Sequence, residues 1–110
     1  MSKVTEQWQF LQDVTKLIEY IRDSDLLATG GELYRTVEQQ AIYVKQRLSK
    51  TMNSKHLERL AIDLNFVKDG KIIVCPSHVG KYWESLNVKN EWGGSWKSFK
   101  DSGHFQRNDT

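Results

Sequence analysis

The sequence predicts a small α+β domain in which a few helices pack on a short, mostly antiparallel sheet. Two stretches, 6–22 and 77–86, repeat apolar residues at the three- and four-residue steps of an amphipathic helix. A third stretch, 61–66, alternates apolar and polar residues, which is the pattern of a strand with one buried face. An Asp-Gly pair soon after it predicts a hairpin, and therefore an antiparallel partner for that strand.

The length and composition indicate one globular domain spanning residues 1–110. Of the 110 residues, 38% are apolar and 27% are charged, so the chain can bury a modest core and is not expected to be disordered. A net charge of +2 is too small to indicate a nucleic-acid-binding protein. No repeat or low-complexity linker divides the sequence.

The sequence also bears on where the protein is made. Cys75 is the single cysteine, so no intrachain disulfide can form, and we expect it to be a small buried hydrophobic residue. The N-terminal residues lack the apolar core of a secretory signal, and no run approaches the ~20 apolar residues of a membrane span. We therefore expect a protein made in a cytoplasm, without stable membrane association, that needs another factor to reach any substrate outside.

The first helix is predicted over residues 6–22, with Thr5 as its N-cap. Its apolar side chains share one face, which favours core packing over a partner-binding surface. The polar run 23–25 ends the helix. The predicted core face consists of Trp8, Leu11, Val14, Leu17, Ile18 and Ile21.

The glycine pair 30–31 predicts a turn, and 32–35 is predicted as a short strand that leads into a second helix. Thr36 and Gln39 have the spacing of a capping box at the start of that helix. Arg35 therefore lies just before a helix N-terminus, where it either favours an anion or a developing oxyanion or is an ordinary surface arginine. The predicted apolar face of this helix consists of Val37, Ala41, Val44 and Leu48.

A polar loop, 49–54, precedes the alternating strand. One face of this strand carries Asp63, and the small Ala61 leaves space beside the carboxylate. Residues 68–71 form the predicted hairpin turn and 72–75 the returning strand, which Pro76 ends. The face predicted to enter the core consists of Ile62, Leu64 and Phe66.

A third helix is predicted to follow, with Ser77 as its cap and His78 solvated in its first turn. Glycines mix with aromatic residues over 91–99, which predicts a loop that covers the core or forms a cleft wall. Residues 103–106 are predicted as a final short strand and 107–110 as a frayed end. The apolar face of the third helix consists of Val79, Tyr82, Trp83 and Leu86.

Two histidines and two aspartates are the candidates for chemistry. His56 and Asp63 are seven residues apart, which is about 10.5 Å along a helix and roughly 23 Å along a strand. Neither distance lets both reach one metal ion at about 2 Å, so the chain must turn between them, at 57–60. The Ser-Gly pair between Asp101 and His104 is a turn pair that can bring both side chains to one side. Spacing alone leaves open whether the four form a metal site or are unrelated polar residues.

The surroundings of these residues resemble the motifs of the M15 peptidases, a family of D-alanyl-D-alanine carboxypeptidases and dipeptidases that includes L-alanyl-D-glutamate endolysins. Order and spacing match from about residue 30 to 106. Ser54-x-His56-x-x-x-x-Ala61-x-Asp63-Leu64 is similar to the first zinc motif. The second motif, in its short phage-like form, is similar to Trp92-Gly93-Gly94-x-Trp96-x-x-Phe99-x-Asp101-x-Gly103-His104-Phe105. Arg35-Thr36 followed by Gln39 resembles the arginine segment upstream.

The resemblance implies a hedgehog/DD-peptidase-like fold and a role for each motif residue. The zinc ligands would be His56, Asp63 and His104. Asp101 would be the general base and acid, and Arg35 would bind or polarise the substrate carbonyl, with Gln39 and Ser54 also contacting substrate. The sequence departs from the family at Arg59, where a glycine is usual, and arginine there is strained if the turn requires a positive φ.

The resulting hypothesis is a monomeric zinc peptidase that cuts peptidoglycan stem peptides, as a phage or prophage endolysin does at the L-Ala–D-Glu bond. It would be made in the bacterial host cytoplasm and act on the cell wall after release. A D-Ala-D-Ala carboxypeptidase is the alternative within the family, and a cytoplasmic dipeptidase fits less well. The rivals from other classes are a non-catalytic zinc-containing wall-binding module, which Asp101 argues against, and a basic nucleic-acid binder, for which no lysine and arginine stripe is present.

Overall fold

A computed structural model of the chain describes residues 2–47, 54–98 and 100–108. Within these ranges, three helices accompany a five-stranded sheet, which confirms the predicted α+β class. The helices are α1 (Lys3–Asp23), α2 (Val37–Lys45) and α3 (Ser77–Leu86). The strands are β1 (Leu27–Gly30), β2 (Ala61–Lys68), β3 (Lys71–Ile73), β4 (Asn90–Trp92) and β5 (His104–Arg107).

The sheet is built around β2, and every pairing in it is antiparallel. β1 pairs along one edge of β2, and the other edge is shared between β5, along its first half, and β3, along its second. β4 pairs with the far side of β5. Because Asp63 of β2 lies directly opposite His104 of β5, their side chains leave the same face of the sheet side by side.

The core lies between the sheet and the two longer helices, α1 and α3. The Trp83 ring of α3 is its centre, 5.5 Å from the Phe10 ring of α1 and 6.0 Å from the Phe105 ring of β5, both edge-on. Such aromatic pairs contribute about 0.5–1.5 kcal/mol each beyond the area that they bury. The other buried members of the core are Val14, Leu17, Ile21, Leu26, Leu60, Leu64, Phe66, Cys75, Val79 and Trp92.

A buried ionic network fixes β5 to α1. The Arg107 guanidinium is 2% exposed and donates to the Asp13 carboxylate of α1 and, at 3.1 Å, to Asn90 Oδ1 of β4. The Asn90 amide in turn donates to Asp13 at 3.1 Å. Removing Arg107 would leave the buried Asp13 carboxylate without its ion-pair partner, which typically costs about 3–5 kcal/mol. The strand that carries His104 is therefore held firmly in place.

Several predicted features are confirmed. The Asp-Gly hairpin joins β2 to β3, with Asp69 and Gly70 both at positive φ. Leu64 and Phe66 of β2 are buried, and Ile62 packs against the core. The predicted face of α3 lies on the core, and Cys75 is buried.

The first helix differs from its prediction in its start and its buried face. It begins at Lys3, because the Ser2 hydroxyl accepts from the Thr5 backbone N–H and so takes the N-cap position predicted for Thr5. The apolar stripe of this helix is wide, so the sequence does not determine which of its residues face the core. Phe10, which the prediction omitted, is fully buried. Three predicted core residues lie outside: Trp8, Leu11 and Ile18 are 60%, 41% and 52% exposed.

The segment between the first and second helices also differs. The strand is β1, which ends at Gly30. Residues 32–35 are irregular and are held by the bonds from Asp63 N to Glu32 O and from Arg35 N to His56 O. In α2 the predicted apolar face is wrong: Val37 is 59% exposed, and the buried residue is Gln40, for a polar reason given below. The predicted Leu48 and most of the loop 49–54 lie outside the described residues.

The C-terminal third has smaller differences. Pro76, and not Ser77, is the N-cap of α3, without a side-chain capping bond, and β3 ends before the predicted 75. Residues 90–92 form β4, so the predicted loop 91–99 begins as a strand; its Phe99 lies outside the described residues. Arg107 belongs to β5 rather than to a frayed end, while 109–110 are not described. None of the helices in the described ranges combines the length and apolar character that a membrane crossing requires.

Candidate metal centre

His56 is presented by a short 3₁₀ turn, Lys55–Glu58, between the loop and β2. The Ser54 hydroxyl caps this turn by accepting from the His56 backbone N–H at 3.3 Å. Arg59 ends it at φ 60°, in the left-handed region, and the reversed chain enters β2 two residues later. The predicted turn at 57–60 is therefore present, and it removes the distance that regular structure would put between His56 and Asp63.

Three side chains converge on one point. His56 Nε2 lies 3.2 Å and His104 Nδ1 lies 3.1 Å from the same oxygen, Asp63 Oδ1. One potential ligand atom from each residue lies within 4.8 Å of the other two. Ligand atoms bound at 2.0–2.1 Å to a tetrahedral ion are roughly 3.3 Å apart, so these separations suit the edges of a zinc site.

The second nitrogen of each ring determines which nitrogen faces the centre. His56 Nδ1 donates to the Leu33 carbonyl at 3.1 Å, which leaves Nε2 directed at Asp63. His104 Nε2 lies 2.7 Å from Gln106 Oε1, which leaves Nδ1 directed at Asp63. Metal-binding histidines usually have such a partner behind them. Both rings are buried, so their orientation is fixed by the surrounding structure.

The electrostatics of the centre favour an ionised carboxylate beside a protonated ring. Burial raises the pKa of Asp63, but the hydrogen bonds with His104 and His56 outweigh it and hold the pKa well below its usual range. Burial lowers the pKa of His104, but its hydrogen bonds with Asp63 and Gln106 raise it above its usual range overall. A metal ion entering the centre would displace a proton from this pair.

Asp101 supplies a second carboxyl group beside the first. Its pKa is raised, chiefly by loss of solvation and then by repulsion from the Asp63 carboxylate. The turn to His104 forms through the bond from His104 N to Asp101 O at 3.1 Å. Gly93 O accepts from Asp101 N at 3.1 Å, and a Cβ on Gly93 would lie 2.3 Å from the Asp101 carbonyl oxygen. Only glycine permits this approach, which sets the place of the Asp101 loop.

Arg35 is buried beside the centre and held at several points. Its guanidinium donates to Glu32 Oε1 at 2.8 Å and 3.2 Å, and to Gln40 Oε1 at 2.7 Å. It also lies 3.4 Å from Ser54 Oγ and 3.7 Å from Asp63 Oδ2. The bond to Arg35 explains why Gln40 is buried in an otherwise exposed helix. Arg35 is therefore not an ordinary surface arginine, which was one of the two interpretations that the sequence left open.

The structure brings together six of the seven predicted site residues, and it adds others. Gln39 lies in the first turn of α2, where its backbone N–H donates to Thr36 Oγ at 3.0 Å, but its neighbour Gln40 is the residue bonded to Arg35. Sequence reasoning missed Gln106, although its place two residues after His104 puts both on one face of β5. It also missed Trp96, whose ring centroid lies 5.1 Å from that of His104.

The donor set defines the chemistry available here. Two imidazole nitrogens and one carboxylate oxygen leave a fourth tetrahedral position open, as in catalytic zinc sites, and they suit zinc better than the oxygen-binding ions magnesium and calcium. The Asp101 carboxyl group, whose pKa is raised, and the buried Arg35 guanidinium lie beside these donors. The arrangement can activate water and stabilise an oxyanion.

Two comparisons with known proteins agree with this geometry. A family model described as D-alanyl-D-alanine carboxypeptidase, from peptidase family M15, matches residues 47–107, which include all three converging residues and Asp101. The crystal structure of the L-Ala D-Glu endopeptidase ChiX of Serratia marcescens is similar to this fold, with a TM-score of 0.72. The match covers 91% of this chain and 78% of the other at 22% identity, so it establishes the likeness of the fold.

Proposed function

The chain belongs to the M15 family of zinc peptidases, and from this membership we propose that it cuts peptidoglycan stem peptides at the L-Ala–D-Glu bond, as endolysins of phage or prophage do. The observation that carries the proposal is the convergence of His56, Asp63 and His104 beside Asp101 and Arg35. These residues would hold a zinc ion and supply the proton transfer and the positive charge that amide hydrolysis needs. A wall-binding module without catalysis would need neither Asp101 nor Arg35.

The residues divide the work of hydrolysis between them. When bound, zinc supplies Lewis acidity for the attacking water and the substrate carbonyl. Asp101 takes one proton from the water as the water oxygen bonds to the carbonyl carbon. Asp101 then gives that proton to the amine nitrogen as the C–N bond breaks. The raised pKa of Asp101 suits both transfers. It makes the carboxylate a stronger base toward water, and the carboxylic acid that forms is still acidic enough to protonate the leaving amine. Arg35 donates to the carbonyl oxygen as negative charge develops there.

The choice of bond rests on the likeness of fold to an endopeptidase of the L-Ala–D-Glu class. The runner-up is a D-Ala-D-Ala carboxypeptidase, which the description of the matching family model favours. Digestion of purified peptidoglycan followed by mass spectrometry of the products separates the two. We expect free L-Ala termini on the glycan strands and released peptides that begin with D-Glu. Loss of a terminal D-Ala alone would replace the endopeptidase proposal with the carboxypeptidase.

The assignment of Asp101 has a direct test. Asp101→Asn keeps the size of the side chain but cannot accept the proton, so we expect full zinc content and a fall in hydrolysis of at least about 10²-fold. Asp69→Asn is the matched control, since it removes a carboxylate from the exposed hairpin turn, where asparagine tolerates the positive φ. Hydrolysis by Asp101→Asn at the wild-type rate would show that another group is the base.

We propose also that the protein is made in the cytoplasm of a bacterial host and acts, as a monomer, on the cell wall after release. Light scattering of the zinc-loaded protein would test the monomer. Addition of the purified protein to isolated walls and to intact cells would test the place of action. We expect the walls to clear and intact cells with an unbroken outer barrier to resist. A protein that leaves isolated walls intact at all zinc concentrations would contradict the proposal.

A further inference from the structure

A row of hydrogen bonds runs from His104 away from the metal centre. His104 and Gln106 share one face of β5, and Asn108 continues the alternation just beyond the strand. Glu91 of β4 lies directly opposite Gln106. His104 Nε2 lies 2.7 Å from Gln106 Oε1, Gln106 Nε2 lies 2.8 Å from Asn108 Oδ1, and Asn108 Nδ2 lies 2.8 Å from Glu91 Oε2. The row therefore ends on a carboxylate.

The carboxylate gives the row one direction. A carboxylate only accepts, so the Asn108 amide must turn its NH₂ group toward Glu91 and its oxygen toward Gln106. Gln106 must then donate to Asn108 and turn its own oxygen toward the ring of His104. That oxygen needs a donor, which places the ring proton on Nε2. The remaining nitrogen, Nδ1, faces Asp63, whose carboxylate competes for a proton on it until a metal ion takes the place of that proton.

The other oxygen of Glu91 is also occupied by a donor. The Trp96 indole, which can only donate, bonds to Glu91 Oε1, and the same indole packs 5.1 Å from the His104 ring. Both oxygens of this carboxylate thus face groups that must donate to it. The row has no second arrangement that satisfies all its members.

We propose that Glu91 is a positioning residue for the metal centre: through Asn108 and Gln106 it holds the His104 proton on Nε2 and so presents Nδ1 to the metal. This deepens the proposed function and rests on it only for the metal, because the hydrogen bonds of the row are present in the metal-free protein. Partners behind a metal-binding histidine typically contribute 10- to 100-fold to metal affinity.

One substitution reverses the row without changing its size. In Glu91→Gln the single amide oxygen remains with the Trp96 indole, which has no alternative to donating, so the new NH₂ group faces Asn108. Asn108 and Gln106 must then both turn over, and Gln106 presents its NH₂ group to His104. The ring proton moves to Nδ1, where it blocks the metal-facing nitrogen.

A second substitution restores the original direction. In the double variant Glu91→Gln/Asn108→Asp, the new carboxylate at position 108 accepts from two NH₂ groups, that of the new amide at position 91 and that of Gln106. Gln106 again presents its oxygen to His104, and the ring proton returns to Nε2. The double variant has the same number of charges as the natural chain, so rescue by it reports on direction rather than on net charge.

Two measurements test the proposal. Long-range ¹H–¹⁵N spectra of the metal-free protein, recorded in an Asp63→Ala background at a pH where the ring is neutral, distinguish the two proton positions without the competing carboxylate, and zinc affinity is measured with Asp63 in place. Chelator competition gives the zinc affinity. We expect Glu91→Gln to move the proton to Nδ1 and weaken zinc binding by about 10- to 100-fold, and the double variant to recover both. Glu84→Gln is the matched control: Glu84 accepts from the Trp92 backbone N–H, outside the row, and the variant should match the natural chain in both measurements.

The proposal is overturned if Glu91→Gln keeps the proton on Nε2 with wild-type zinc affinity, or if the double variant recovers neither property. Should Glu91→Gln not fold, Gln106→Met cuts the row next to the ring, and a ring that remains entirely in the Nε2 form would overturn the proposal equally. A natural chain that binds zinc and fixes the ring proton but hydrolyses no peptidoglycan would contradict the proposed function and leave this inference standing.

Discussion

At Arg59 the backbone has φ 60°, a conformation that costs a residue with a side chain about 1–2 kcal/mol. The strain permits the reversal that brings His56 back over Asp63. Part of the cost is offset locally, because the guanidinium lies 4.0 Å from the centre of the Tyr34 ring, a cation–π contact. Arginine at this position therefore replaces the usual glycine by adding a contact that glycine cannot make.

The strain predicts an order of stability between two variants. Both Arg59→Gly and Arg59→Ala lose the contact with Tyr34, but only glycine adopts the left-handed conformation at little cost. We expect Arg59→Gly to be more stable than Arg59→Ala by about 1 kcal/mol. Urea unfolding of the two metal-free variants measures the difference. Equal midpoints would mean that the turn relaxes its conformation in the alanine variant.

Arg35 is expected to tolerate no other cation. Its planar fork satisfies Glu32 and Gln40 together, which a lysine ammonium cannot do from the same position. We expect Arg35→Lys to bind zinc normally and to lose about 10²–10³-fold in kcat, the usual loss when an oxyanion donor is displaced. Steady-state kinetics on a soluble stem peptide measures this, with the exposed Arg22→Lys as the control. Unchanged kcat would remove Arg35 from the chemistry.

The candidate ligands could be predicted from the sequence because local motifs contain them. The neighbours of Arg35 could not: Gln40 looks like any helix-surface glutamine, and its burial depends on a side chain five positions earlier that turns back over the helix. For α1 the apolar pattern was right for three of its six predicted core residues and wrong for the other three, since the stripe fits about as well when it is centred to include Phe10. Packing against Trp83 decides where the stripe is centred, and that contact is tertiary.

At the scale of strands, the site depends on a register that no local pattern encodes. Asp63 and His104 are 41 residues apart, and a shift of one residue between β2 and β5 would send one of the two side chains to the other face. Both strands were predicted, but their adjacency was not. β4 was not predicted because a run of three residues that ends at Trp92, directly before two glycines, looks like a loop until it pairs with β5.

The close approach at Gly93 predicts the effect of a single methyl group. A Cβ there would lie 2.3 Å from the Asp101 carbonyl oxygen and 3.1 Å from His104 Cβ, so the loop that carries Asp101 must move. We expect Gly93→Ala to fold and to lose about 10²-fold in hydrolysis, as displacements near 1 Å commonly do. Gly30→Ala is the control, since nothing lies within 4 Å of its Cβ. An equal loss of hydrolysis in Gly93→Ala and Gly30→Ala would mean that the loss comes from a change in the sheet and not from movement of the Asp101 loop.

For the whole molecule, the raised pKa of His104 predicts how the metal-free protein responds to pH. The stability from this group is fully present below its unfolded pKa of about 6.5 and is lost as the pH rises through the higher folded value. We expect the urea midpoint of the metal-free protein to fall as the pH rises above about 6.5 and through the higher folded pKa of His104. The decrease of the urea midpoint with pH should be smaller in His104→Asn than in the natural chain. In the variant His78→Asn, at an exposed position, it should equal that of the natural chain. A midpoint independent of pH in the natural chain would contradict the shift.

Zinc binding should make the folded protein more stable as the pH rises, whereas the metal-free protein becomes less stable. Binding to the folded state alone stabilises it by about 2.7 kcal/mol at a free concentration 100 times the dissociation constant, and binding strengthens as the pH rises because a proton leaves the centre. We expect zinc to raise Tm, and chelation to lower it and abolish hydrolysis reversibly. A Tm that does not respond to zinc at pH 8 would mean that the centre binds no metal in the folded protein.

The wide separation of the two histidines limits when a metal ion can bind both. His56 and His104 lie roughly fifty residues apart in a protein whose single cysteine forms no intrachain disulfide. An ion bound by both would join the ends of a long loop, whose closure costs roughly 4 kcal/mol of conformational entropy in the chain-entropy account, and folding has already met this cost when the ion binds. The centre would then serve this small domain as a removable crosslink, one that closes only when β5 has docked on β2.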